Sequence, residues 1–233
     1  QHLVGGVLGA GGAGMVRQDA QQRAHGQAQV LRGVAALVGQ DAMLLVGAGH
    51  DPARHGPALV VANLAKAQVL ALAAQAVTVT FHREQLLFPK FEKVIIYPKP
   101  FPSPEHPYPH SSESYAIDGC MIFSAENVMR AFFNPGKFYH VGLHEYAKAF
   151  VLDYPEATWP TFDADTVWQN LEAASGMSRE HVENAVGLTG LEALPVAIHH
   201  HFIFPEYFKK VFPAEHAQLE KIFTLASSLQ PAN

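Results

Sequence analysis

A chain of 233 residues with 48% apolar side chains and a mean hydropathy of +0.03 is long enough to bury a sizeable core. Its net charge of −5 gives no footprint for a nucleic acid, and its one cysteine, Cys120, excludes an intramolecular disulfide. A reducing, cytoplasmic setting is the simpler expectation, because residues 1–14 lack the basic start and continuous apolar stretch of a secretory signal.

Residues 1–80 differ in kind from the rest. They contain no Phe, Tyr, Trp, Ile, Ser, Cys or Glu, whereas all fifteen Phe lie from Phe81 onward. Such a segment lacks the large side chains that normally carry burial energy. Nearly all its residues belong to types whose codons can begin with G or C, the bias that a wrong-frame or antisense reading produces. Two readings stand: a segment that is not the evolved start of the domain, or a genuine Ala/Gly-rich helical or disordered extension. In both, residues 1–80 contribute few core contacts and the domain proper occupies 81–233.

Within that segment, Gly9-Ala10-Gly11-Gly12-Ala13-Gly14 matches G-x-G-x-x-G, the pattern that cradles a pyrophosphate at a helix N-terminus. Nucleotide binding is therefore one alternative. Against it, the preceding strand is short and glycine-interrupted, no acid stands near residue 30, and Gly/Ala-rich sequence meets the pattern by chance. Residues 58–80 approach the length of a membrane span, but Asn63, Lys66, Gln68 and Gln75 interrupt the apolar run. A soluble helix and no membrane contact are expected.

From Phe81 the pattern becomes that of a packed domain. Lys93–Tyr97 is a β-branched run closed by Pro98, and residues 120–123 form a second short strand. The six prolines of 98–110 exclude helix and central strand. Ser124 caps a helix that ends at Asn134-Pro135-Gly136, and residues 138–152 form the next. A loop over 155–163 leads to a helix at 167–174 that stops near Gly176, and Ser178 with Glu180 and Glu183 opens another. Helices over 194–204 and 213–227 complete a mainly helical α+β domain with a small sheet. Phe202, Phe204, Tyr207, Phe208 and Phe212 recur at helical spacing and read as core.

The chemistry lies at His144-Glu145-Tyr146-Ala147-Lys148. In H-E-x-x-H, histidines at i and i+4 share a helix face and a zinc ion, and the glutamate between them activates the bound water. Here the second histidine is Lys148. A protonated lysine has no lone pair to offer. Two arrangements remain open. His140 is itself four residues before His144, so His140, His144 and His200 can form a displaced zinc site. Alternatively the Lys148 ammonium pairs with Glu145 at i, i+3, an ion pair in place of an ion.

Residues 94–98 (Val-Ile-Ile-Tyr-Pro), 122–124 (Ile-Phe-Ser), 141–147 (Val-Gly-Leu-His-Glu-Tyr-Ala) and the run from Pro195 to Phe204 with Pro205-Glu206 and Phe212-Pro213 follow, in order and spacing, a known pattern. The stretch from about 87 to 223 resembles the Mlc titration factor A family, zinc-dependent peptidases similar in fold to the catalytic domain of anthrax lethal factor. The resemblance implies a zincin-like (gluzincin-type) metallopeptidase hydrolysing peptides, with His144 as first zinc ligand and Glu145 as catalytic base. The second ligand falls on Lys148 and the third, a glutamate in the family, on His200. The family's aspartate three positions beyond the second histidine is Val151. Two functions are therefore expected from this site: a zinc peptidase of weakened or lost activity, or an inactive relative that binds a protein partner such as a transcriptional regulator.

Overall fold

A computed structural model describes residues 45–46, 58–81 and 88–224, and shows an α+β fold. The described elements, in chain order, are β1 (Leu45–Val46), α1 (Ala58–Thr80), β2 (Lys93–Tyr97), β3 (Ser112–Tyr115), β4 (Cys120–Ser124), α2 (Ala125–Phe133) and α3 (Val141–Asp153). They continue with α4 (Val167–Ser175), α5 (Arg179–Val186), α6 (Ala193–Ile203), α7 (Pro205–Val211) and α8 (Pro213–Thr224). Gly9–Gly14, on which the nucleotide-binding alternative rests, lies outside the described residues.

The sheet runs β1-β2-β4-β3. β2 is parallel to β1 and to β4, and β3 is antiparallel to β4, with Ile95 and Glu113 both in register with Ile122. Ile96, Met121 and Phe123 are buried on the helix side of the sheet, which fixes its register because a one-residue slip would turn them outward. β3 is Ser-Glu-Ser-Tyr, without an apolar run, so no periodicity announces it. Its place comes from pairing: Ser124 N–H donates to the Ser111 carbonyl at 2.7 Å, just beyond the ladder.

Helix ends follow local chemistry. Gly176 and Gly187 close α4 and α5 with φ of 74° and 85°, left-handed values that cost glycine nothing. The Ser178 hydroxyl accepts from His181 N–H at 3.2 Å and caps α5 as expected. Ser124 stands at the N-cap of α2, but its hydroxyl makes no cap bond and is buried without a partner. The expected helix over 138–152 starts later, at Val141, with His140 as its N-cap. Pro205 ends α6 but also opens α7, since proline is tolerated in a first turn.

The expectation that residues 1–80 contribute few core contacts fails for α1. Ala71, Leu72, Ala76 and Val79 belong to the same buried cluster as Leu143, Phe150 and Ile198. Small side chains are what this packing needs. A Cβ on Gly142 of α3 would lie 2.5 Å from Gln75 Oε1 and 2.9 Å from Leu72 Cδ2, so a larger residue there would displace both side-chain ends where α1 crosses α3. The aromatic residues missing before Phe81 are supplied from the other side: Phe123, Phe150 and Phe208 are fully buried, each contributing about 2–3 kcal/mol by area. Of the expected aromatic core, Phe208 and Phe212 are buried, while Tyr207 faces solvent at 59% exposure.

Candidate functional site

His144 and Glu145 directly follow the opening residues of α3, whose N–H groups have no partner within the helix. One of these orphans, Leu143 N–H, donates to Gln75 Oε1 at 2.8 Å. Helix α1 therefore fixes the start of the very turn that presents the motif. The turn is closed by His144 N–H donating to the His140 carbonyl at 3.0 Å.

Glu145 is fully buried, and both of its oxygens are held. The Ser112 hydroxyl of β3 donates to Oε1 at 3.0 Å, and Lys148 Nζ donates to Oε2 at 2.9 Å. Burial pushes this carboxyl up, but the Lys148 charge, the adjacent His144 and hydrogen bonds from Lys148 and Ser114 outweigh it and hold it below 4.5. It stays ionised and satisfied. Lys148 itself reaches solvent, its side chain 36% exposed. It helps line a cleft of about 310 Å³ with Phe91, Ser114, Leu152 and Pro195; His144 and Glu145 do not line it.

His144 is buried, and burial foremost, aided by the Lys148 charge, lowers its pKa to about 4. It is a neutral imidazole, with Nδ1 2.7 Å from the Tyr139 hydroxyl. Tyr139 also lies against His199, ring centroids 4.1 Å apart. His199 Nε2 accepts from the His140 backbone N–H at 3.1 Å, and its Nδ1 is 3.3 Å from His200 Nδ1. His200 then meets the Val196 carbonyl through Nδ1 and the Ser175 hydroxyl through Nε2, both at 2.8 Å. His140 Nε2 is buried and unpartnered.

The donor set does not suit zinc at this place. Both nitrogens of His200 are engaged with α6 and α4, one of His144 is engaged with Tyr139, and Lys148 is spent on Glu145. Among the described residues, the groups whose ligand atoms converge within 4.8 Å are elsewhere: His201, His216 and Glu220, and Glu105, His106 and Glu113. The expected triad of His140, His144 and His200 is not among them. His140 is displaced for a physical reason: it is the N-cap of α3, outside the helix, so spacing of i, i+4 no longer places it on one face with His144. The structure instead brings together a glutamate-lysine-serine triple and a buried chain of rings.

Several of these contributors carry no signal in the sequence. Ser112 lies on a strand that periodicity does not reveal, and Tyr139 precedes the helix. His201 was visible only as one of three consecutive histidines; all three are buried, each toward different partners. Comparison with family models, with curated proteins and with solved structures gives no match.

Proposed function

We propose that this chain is a non-hydrolytic relative of the zincin-like peptidases that its sequence resembles, acting by binding an extended segment of a protein partner. The observation that carries the reading is the Lys148–Glu145 pair at 2.9 Å. A general base must reach the proton it takes, directly or through one water. Glu145 has 0% exposure, with one oxygen on Ser112 and the other on Lys148, and it does not line the cleft, so a water in the cleft does not reach it. The ammonium supplies the positive charge that a metal supplies in H-E-x-x-H, without an open coordination position for water.

Beside Lys148 lies the cleft of about 310 Å³. Its walls are apolar at Phe91, Leu152 and Pro195 and polar at Lys148 and Ser114, and Ser114 lies on β3, at an edge of the described sheet. An edge strand beside a cleft accommodates an extended chain by main-chain hydrogen bonds, with side chains settling in the adjoining hollow. A transcriptional regulator is the partner that the resemblance implies. The test pairs two measurements on the full chain. Peptide hydrolysis is expected to be absent with saturating zinc, and Leu152→Arg at the rim is expected to weaken binding of a purified repressor of the kind the family binds, read by anisotropy. Zinc-dependent hydrolysis abolished by Glu145→Gln would overturn the reading.

A further inference from the structure

Among the described residues, three histidine-bearing clusters lie outside the cleft, and they differ in what is left to bind. In the loop before β3, His106 Nδ1 and His110 Nε2 hold the two Glu113 oxygens at 2.8 and 3.0 Å, and the Tyr115 hydroxyl donates to one of them. That cluster is satisfied. The chain of His199 and His200 ends on Val196 and Ser175, as described above. The third cluster, between α6 and α8, is different.

His201 projects from α6 and His216 from α8, with their Nδ1 atoms 3.1 Å apart. Two imidazole nitrogens at this distance are bridged either by one proton, held by one ring, or by one cation that takes both lone pairs. Phe202, Phe208 and Phe223 surround His201 with ring centroids at 5.1, 6.0 and 6.0 Å, an apolar wall that keeps its ring in place. Glu220 follows His216 by one helical turn on the same face, and its Oε1 is 3.6 Å from His201 Nε2. One ligand atom from each of the three lies within 4.8 Å of the others.

We infer that His201, His216 and Glu220 form a site for a single divalent transition-metal ion of the zinc class, tying α8 to α6. The donor set is two imidazoles and a carboxylate, which suits zinc and its neighbours rather than calcium or magnesium. Zinc–nitrogen bonds of about 2.0–2.1 Å at a tetrahedral centre place two ligand nitrogens roughly 3.3 Å apart, close to the spacing already present. The buried imidazole is positioned by packing, and the exposed Glu220 carboxylate, now beside His201 Nε2, would turn toward the Nδ1 side to complete the set. The exposed Glu220 side offers the entry path and the place for a completing water. The site is independent of the cleft and stands whichever way the question of hydrolysis falls.

The experiment titrates chelator-stripped full-length chain with cobalt(II), read by its visible spectrum, and with zinc by calorimetry. One equivalent is expected to bind, with the intense absorption of a tetrahedral cobalt site, and zinc is expected to raise the melting temperature. Glu220→Gln, an exposed change, should weaken binding at least about tenfold, and His216→Ala at least about a hundredfold, with metal-free melting curves close to native. Lys148→His, on another element, should leave this equivalent in place, which separates the site from the H-E-x-x-K helix. No metal bound below about 1 mM, or binding untouched by both His216→Ala and Glu220→Gln, would overturn the inference.

Discussion

The start of α3 and the α6–α8 seam use the same residue types, histidine and glutamate one turn apart or less, and come to opposite chemical states. At α3 the polar atoms answer one another: Glu145 takes Ser112 and Lys148, His144 takes Tyr139, and the carboxylate is fully buried. At the seam two imidazole nitrogens face each other at 3.1 Å and a half-exposed carboxylate stands beside them. A buried carboxylate with two donors is inert because nothing further can reach it. Paired imidazole nitrogens beside an exposed carboxylate are the arrangement from which we infer a cation site. The motif that reads as chemistry in the sequence is the closed one, and the unremarked histidines make the open one.

The largest effect should come from breaking the α3 pairing on one side only. Lys148→Met leaves the Glu145 charge buried with only the serine hydroxyls of β3 to answer it, and should cost about 3 kcal/mol, the low end for an orphaned buried partner, in chemical denaturation. The support beneath that turn is the next target. Gly142→Ala drives a methyl into Gln75 Oε1 and Leu72, and should cost about 2 kcal/mol by overpacking and by loss of the Leu143 hydrogen bond.

Acid should act on the same region with a definite sign. His144 titrates at about 4 in the fold against 6.5 in the unfolded chain, so the unfolded state binds the extra proton between those values. Stability is then fully present above pH 6.5 and falls by about 1.4 kcal/mol per pH unit from this group as pH drops toward 4. His140 and His199 add in the same direction, and Asp153, raised by burial to about 6, works against them. His144→Gln should flatten the pH profile by that share; an unchanged profile would contradict a neutral buried His144. The smallest effect belongs to the seam: metal-free Glu220→Gln should change stability by less than about 0.5 kcal/mol, because an exposed carboxylate near a neutral imidazole contributes little.

Much of the fold was legible because it rests on strong local signals. The run Val94-Ile95-Ile96 gives β2, and Gly176, Gly187 and Ser178 mark helix ends by conformations or hydrogen bonds that few other residues supply. What stayed hidden depends on partners distant in sequence. β3 is a polar strand made by pairing with β4, and α1 is core because Gly142, some 70 residues away, opens a groove for Gln75 and Leu72. The lysine in the motif and its i, i+3 glutamate were readable as an ion pair. That His200 would turn to Ser175 and Val196 was not, since three adjacent histidines give no sign of which neighbour each will meet.

The central claim is that an ion pair holds the place where the resemblance puts a metal, and a double-mutant cycle of Lys148→Met and Glu145→Gln tests it directly. Each single change removes one charge and strands the other group, whereas the double change leaves no stranded charge. The expected result is a coupling of at least about 3 kcal/mol, with the double variant close to the native stability and any rise with excess zinc the same in all four proteins. Additive losses, or a native stability that rises with zinc and loses that rise in Glu145→Gln, would contradict the account.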